Sequence, residues 1–502
     1  MVDVVLIVMS TLFGIMVIVA SVYFMVYYQH PQDKWVAWLP KVIVVIGLTL
    51  SAWNIFVLPL DVANQNGQVD APGKIPMATI TLSFNLASVF IFMIAVPFTM
   101  FYYEGEDDSD ESDEKKKSSP SQVGYALKWL IPTLIFSGGI IGIMYWQLGY
   151  AQIEVVQITG KLQAGFDITN EYCKAPAAGA TAICQRTPGY RYPQVSWIVY
   201  TVALIALIGW IIFIIFGGAG LIVLPVDLIQ DFQHRPKPIT AAEYAERKKA
   251  IGQQAHLLLE VGGQLQADLK EAGRGGARMN RRYRQLRTKE NEFRKDAMIL
   301  EFHYRRLEEC YKQQGGNILL QYLGFVGGCI SAVISVCWIM HICLFLIPIQ
   351  LGGVPFSLFL NDFFTGISGV PFIGTAFYAM FSFYLLLCVI KGNSKLGMRI
   401  VFITIHPLKL GETMMNSLLF NVGVILVSSL AVSQFCALAF SRYAKYTASG
   451  YLFGVQVQKL KNMAFVYQAF IFAFLGVAGL MIGWIIYKPR SKQRENRMNF
   501  KW

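Results

Sequence analysis

Apolar runs of roughly twenty residues or more recur along the whole chain, and they decide what it can fold into. A bilayer core about 30 Å thick is crossed by about 20 helical residues. Inside lipid every backbone N–H and C=O must be satisfied within the protein, which restricts a span to a helix or a closed barrel. The alternating period of a barrel strand is absent here. The runs at 4–28, 38–60, 77–103, 125–146, 195–224, 317–347, 369–390, 413–440 and 463–487 therefore predict an all-α polytopic membrane protein with nine transmembrane helices. The first run is too long for a signal-peptide core and has neither a basic flank before it nor a small-residue cleavage site after it, so it reads as a retained span.

Charge orients the spans. Lys and Arg accumulate in cytosolic loops. With the N-terminus outside and the C-terminus in the cytosol, 34 of the 43 Lys and Arg residues fall on the cytosolic side and 9 on the other. Loop 441–462 dissents, with Arg442, Lys445, Lys459 and Lys461 on the sparse side. The net charge of +12 sits in loops flanking apolar runs, which argues against nucleic acid as a partner.

The chain then divides into a first membrane bundle, 1–226, a polar stretch, 227–316, a second bundle, 317–487, and a cytosolic tail, 488–502. The polar stretch holds 18 Lys and Arg against 13 Asp and Glu. Its second half carries an aromatic and aliphatic seam at alternating steps of four and three: Met279, Tyr283, Leu286, Glu290, Phe293, Ala297, Leu300, Tyr304, Leu307, Tyr311. Tyr244, Ile251, Leu258 and Leu265, seven apart, repeat the pattern more weakly in the first half. Gly273-Arg274-Gly275-Gly276 breaks the two. The stretch predicts a cytosolic helical hairpin between spans 5 and 6, its seam packing within the hairpin or against another chain. Arg278, Arg281, Arg282, Arg284 and Arg287 form a basic surface that suits solvent, anionic lipid or a partner. The acidic run 104–114, on the same side, could compete for it.

Two further loops stand out. Loop 147–194 lies on the extracellular or lumenal side, where disulfides persist, and it holds Cys173 and Cys184. Segment 351–367 is apolar but interrupted by Gly352, Gly353, Pro355 and Asn361-Asp362, which predicts a re-entrant or interfacial piece.

Polar residues inside spans are costly and default to functional candidates. Asn54, Asn85, His341, Asn416 and Asn421 form such a set, with Pro97 as a kink that would free a carbonyl in span 3. They are read as a candidate intramembrane pocket, or as interhelical hydrogen bonds and a packed histidine. Asp61, Asn64, Glu104, Asp227 and His406 mark motif helix ends. Leu-Pro-Leu-Asp at 58–61 is echoed by Leu-Pro-Val-Asp at 224–227, which reads as two helix exits, Pro stopping the helix and Asp in water, or as inverted repeats. No nucleophile elbow, zincin motif or phosphate loop occurs, so an enzyme is not expected, nor a metal or cofactor beyond bound lipid or sterol.

Four motifs in register, Tyr28-Gln29-His30-Pro31, 58–64, Pro97 to Gly105, and Val401 to Pro407 continuing to Met415-Asn416-Ser417 and Phe420-Asn421-Val422-Gly423, resemble the lipocalin-interacting membrane receptor (LIMR) family. The sequence is most similar to its plant-type and protist-type members. The resemblance implies nine spans, an outer N-terminus, a large cytosolic loop after span 5 and a cytosolic C-terminus. It also implies roles such as receptor for a lipophile carrier, partner in vitamin export or signalling modulator.

The expected function is accordingly a multi-pass receptor or transport-associated protein, at the plasma membrane or an endolysosomal membrane, for a small lipophilic or vitamin-like ligand or its carrier protein. A scaffold or signalling adaptor working through the hairpin, by a cytosolic protein or self-association, is the alternative; a channel or transporter comes third. The orientation yields one test. Mass spectrometry of unreduced protein should find Cys173 joined to Cys184, a short loop whose closure contributes about 3 kcal/mol on the chain-entropy estimate, and free thiols at both positions would refute the bond.

Overall fold

The structure, a computed structural model, describes residues 4–30, 33, 38–65, 75–107, 119–160, 184–235, 237–273, 281–312, 317–368, 373–396, 398–400, 403–405, 408, 413–461 and 463–487. Among the described residues nine helices are long and apolar enough to cross a membrane: Leu6–Tyr28, Trp38–Asn64, Met77–Glu104, Gln122–Leu148, Trp197–Gln233, Ile318–Gln350, Ile373–Lys395, Met415–Ala439 and Phe465–Tyr487. They are spans 1 to 9. The chain contacts divide into one unit of Met1–Val223 with Val333–Gly479 and a second of Leu224–Ala332 with Leu480–Trp502.

Span 8 is the centre of the first unit. Its apolar window is buried in full, against 6% for span 4, whose apolar side chains are left to face lipid. Spans 2 and 5 pack on span 8 most extensively, and span 7 adds a further side. Close packing is set by glycine. A Cβ at Gly220 of span 5 would collide with the Cys388 carbonyl of span 7, and one at Gly392 of span 7 with the Phe216 carbonyl of span 5. Gly209 meets the Val427 carbonyl of span 8 in the same way. Without a hydrophobic drive between helices in lipid, such backbone approach is what holds spans together.

Prolines shape the helices without ending them. Pro59 lies inside a helix that runs on to Gln65, and Pro225 inside one that runs on to Gln233. The reading of Leu-Pro-x-Asp as two helix exits with Asp in water is thereby corrected, since Asp61 and Asp227 are both buried. A proline deprives the carbonyl four residues back of its donor, and the protein supplies replacements. The Leu221 carbonyl, opposite Pro225, accepts from the Ser335 hydroxyl at 2.6 Å. The Leu344 carbonyl, opposite Pro348, accepts from the Phe356 amide at 2.9 Å. Wide π turns at Ile91–Ala95 and Ile342–Leu346 directly precede the turns holding Pro97 and Pro348. The Phe356 bond turns the chain back after span 6. Gly352, at φ +77°, makes the turn, and a short amphipathic helix follows at Phe359–Ile367, burying Leu360, Asn361 and Phe364. Segment 351–367 does not span.

Small antiparallel sheets add to the helices. Ile153–Gly160 pairs with Cys184–Arg191, Gly160 opposite Cys184, and Met398–Ile400 pairs with Ile403–Ile405. The base of the first sheet is stitched to the chain near 460. The Gln152 amide donates to the Lys459 carbonyl, and the Lys461 amide to the Tyr150 carbonyl at 2.9 Å. Cys173 lies outside the described residues, as do Arg278, His406 and the tail 488–502.

In the second unit, helices Ala241–Gly273 and Arg281–Lys312 pack as an antiparallel pair. Tyr244 stacks on Tyr311 with centroids 4.2 Å apart, and Gly262 admits the Phe293 ring. Leu258, Leu265, Leu286 and Leu307 of the predicted seam are buried. The Arg306 guanidinium donates to the His234 carbonyl, and Phe232 packs on Tyr322 and Phe325.

The glycine crossing predicts asymmetric tolerance. Gly220→Ala and Gly392→Ala should each lower stability by about 1–3 kcal/mol or more in detergent thermal melts, as overpacked cores do. Gly139→Ala, in open space on span 4, should leave the melt unchanged.

Candidate functional site

A helix buried on every side must satisfy its polar side chains from neighbouring protein, and span 8 carries Asn421, Ser428, Ser429, Ser433 and Gln434. Asn54 of span 2 answers two of them. Its Nδ2 donates to Ser429 Oγ at 3.0 Å and to Ser88 Oγ of span 3 at 2.9 Å, while Ser433 Oγ donates to the Asn54 carbonyl at 2.6 Å. One amide thus joins spans 2, 3 and 8. Trp210 Nε1 of span 5 donates to Gln434 Oε1 at 2.9 Å, within a cage of Phe213, Phe435, Tyr467 and Phe470. Asn421 Nδ2 donates to the Ser417 carbonyl at 2.8 Å. Asn85 is buried one turn before Ser88, and Pro97 follows the π turn of the same span.

Carboxylates meet two helix N-termini, that of span 8 and that of the short helix Ala448–Tyr451 that follows it. Asp33, buried in the turn between spans 1 and 2, accepts from the Met415 amide at 2.9 Å and from the Tyr103 hydroxyl at 2.7 Å. A carboxylate there meets the unsatisfied amides and positive dipole end of span 8. Asn416 Nδ2 donates to Glu104 at 3.2 Å beside it. Beyond the other end, Asp61 of span 2 accepts from the Ser449 amide at 3.0 Å, the first turn of the helix Ala448–Tyr451, which Thr447 also caps. Asn64 closes its own loop by bonding both backbone groups of Ile75.

His341 and Asn361 finish span 8. His341 Nε2 lies 2.8 Å from the Ala439 carbonyl, in the last turn, so Nε2 carries the proton and donates. The ring is stacked between Phe345 and Phe440, centroids 4.9 and 5.2 Å away. Asn361 Nδ2 donates to the same carbonyl at 3.5 Å, and its Oδ1 accepts from the Tyr443 amide at 3.3 Å. Burial pushes the Tyr443 hydroxyl above its usual range, opposed by a hydrogen bond with Thr375.

These placements spread the six predicted pocket residues over three levels. Ser429 stands about 20 Å up span 8 from Met415 and about 15 Å below Ala439, at 1.5 Å per residue. Asn416 is therefore at one end, Asn54 and Asn85 in the middle and His341 at the other. Asn54 and His341 tie spans 2 and 6 to span 8, and Asn416 ties span 8 to span 3, so these residues act at separate levels instead of converging on one cavity. Asp33, Asn361 and Tyr443 escaped sequence reasoning. Only the Asp in a turn between two apolar runs offered a signal.

Next to His341 the structure opens a cleft of about 240 Å³. Phe345, Leu346, Ile349 and Gln350 of span 6 form one wall, and Ala437, Leu438 and Ser441 at the end of span 8 the floor. Gly450, Gly454, Val455 and Gln458 form the other wall, with Ala444 and Lys445 at the side. Each wall includes part of a π turn, Phe345 and Leu346 from Ile342–Leu346 and Gly454 and Val455 from Leu452–Val457. Such turns recur at functional sites because they re-aim side chains and open the backbone. Gly454 has open space where a Cβ would sit. A second cleft, of about 500 Å³, runs between the hairpin helices, lined by Ile251, Leu258, Leu259, Phe293, Leu300 and Tyr304 among others. Among the described residues no three His, Cys, Asp or Glu side chains gather as a metal site.

Comparison with known proteins places these features in context. The family model described as LMBR1-like membrane protein matches residues 6–314 and 264–481. A LIMR family protein of Dictyostelium discoideum is 34% identical over 99% of this chain and 100% of its own length. One from Oryza sativa subsp. japonica is 34% identical over 98% of each, and one from Arabidopsis thaliana 32% identical over 98% of each. No solved structure matches.

The Asp61 cap is open to test. Asp61→Ala should lower stability by about 1 kcal/mol in thermal melts, the usual loss for an N-terminal cap, and speed hydrogen exchange at 448–457. Asp61→Asn, which keeps an acceptor, should lose less.

Proposed function

Since the chain belongs to the LMBR1-like membrane protein family, we propose that it is a multi-pass receptor or transport-associated protein that holds a small lipophilic ligand in the cleft between span 6 and residues 450–458. The cleft carries this assignment: apolar walls with a few polar groups at the margin are what small-molecule sites are made of. Ordinary drug-sized pockets measure about 300–1,000 Å³, so this one suits one arm of a ligand. The charge count supports an extracellular or lumenal position for it, on the side of loops 61–76, 147–194, 348–368 and 441–462. A ligand or its carrier would then reach it without crossing the bilayer, at the plasma membrane or in an endolysosome. The role is one of binding, with no catalytic step.

The hairpin supports a second reading. Its apolar cleft and the 75% exposed Leu259 fit a scaffold that docks a cytosolic protein or a second copy.

Small-molecule mass spectrometry of protein purified in mild detergent separates the two. Under the receptor role a lipophile co-purifies with the wild type and falls about tenfold in Gly454→Leu, which fills the cleft, an estimate of about 1.4 kcal/mol of lost contact. Leu259→Arg should leave it unchanged. A wild type carrying no lipophile, with a bound protein lost in Leu259→Arg, would favour the scaffold.

A further inference from the structure

The cleft also contains information about the polarity of its occupant. Among its lining residues Lys445 is the charged one. The segment that builds its far wall, 441–461, carries Arg442, Lys445, Lys459 and Lys461 and not one Asp or Glu. These four are the same cations that run against the distribution of positive charge over the rest of the chain. Structure does not account for Lys445: its ammonium lies 5.2 Å from the ring centroid of its neighbour Tyr446, a weak exposed contact. Asp61, the carboxylate that meets this segment, is engaged by the Ser449 amide. Phe345, Leu346, Leu438 and Val455 are among the apolar residues that line the same cleft.

A cation at the rim of an apolar cleft matches a molecule with one negative end and one hydrocarbon end. We propose that the cleft binds a single-chain anionic amphiphile, a long-chain carboxylate, with its head at Lys445 and its chain between the two π turns. Cleft size selects one chain over the paired chains of a membrane phospholipid. A lone ammonium is a point charge that balances a monoanion, whereas a phosphate monoester carries close to two charges and is best met by an Arg fork. Gln350, Gln458 and Ser441 supply neutral hydrogen-bonding groups in the lining. The ligand class rests on the receptor role proposed above, which requires only that the cleft hold a lipophile.

Photolabelling of the full chain in detergent tests the class apart from the role. Diazirine-bearing palmitate, the matching fatty alcohol and a matching lysophosphatidate are crosslinked to wild type, Lys445→Ala, Lys445→Glu and Gly454→Leu, each checked for a monodisperse peak and an unshifted melt. In the wild type the palmitate probe should label peptides from 437–458 about tenfold more than the alcohol, the ratio expected of one charged hydrogen bond. Lys445→Ala should bring it down to the alcohol's level, and Lys445→Glu below that. Gly454→Leu should abolish labelling by both. Equal labelling by palmitate and alcohol, untouched in Lys445→Glu, would overturn the carboxylate and leave the lipophile-binding role standing. Stronger labelling by lysophosphatidate would overturn the carboxylate in favour of a phosphate head. Absence of labelling at 437–458 by any probe would overturn both.

Discussion

Span 8 is surrounded by protein on all sides, and the rest of the first unit answers to that position. A helix in lipid can turn its polar residues only toward other helices, and Asn421, Ser428, Ser429, Ser433 and Gln434 stand on several faces of one helix. Neighbours must therefore approach from several directions with matching groups. Asn54 supplies them from span 2, Trp210 from span 5, and His341 and Asn361 both meet the Ala439 carbonyl. Spans 1, 4 and 9 are the least buried of the nine, at 22%, 6% and 17% of their apolar windows.

Proline works within this scheme as a device that exports hydrogen-bonding capacity. Each one inside a span leaves a carbonyl without its intrahelical donor. At Pro225 that carbonyl recruits Ser335, and at Pro348 it recruits the returning chain at Phe356. The second case matters for the cleft. The π turn ahead of Pro348 presents Phe345 and Leu346 to it, and a second π turn faces them from Leu452–Val457. Irregular backbone in a membrane protein is tolerated where it is enclosed by protein or lines a cavity, and both π turns line this one.

The nine spans were legible because hydropathy is a property of the sequence alone, and so was the paired hairpin, whose buried leucines follow the seven-residue seam. The candidate site was only half legible. Composition marked Asn54, Asn416 and His341 as costly in lipid, and each does sit on a specific partner. It could not tell that these contacts fall at three heights along span 8, since which face of span 8 meets which span is decided by glycine crossings such as Gly209 on Val427. Leu-Pro-x-Asp misled for a related reason. Pro and Asp end helices in water, but in a bundle the freed carbonyl finds Ser335 and the carboxylate finds the Ser449 amide, so the helix continues. The cleft left no mark in hydropathy; its one trace was the group of four cations in a loop where few were expected.

The stitch between the sheet and residues 459–461 has a mechanical meaning. Two amide bonds, Gln152 to Lys459 and Lys461 to Tyr150, run from the foot of the two-stranded ribbon to the residues that follow directly on Gln458, the last residue of the cleft wall. Backbone hydrogen bonds transmit displacement with little slack, because their length is confined to a few tenths of an ångström. A tilt of the ribbon would therefore be passed to Gln458 and, through the π turn, to the opening beside Gly454. Under the binding role proposed above the same linkage would run in reverse, an occupied cleft steadying the ribbon through three residues of shared chain.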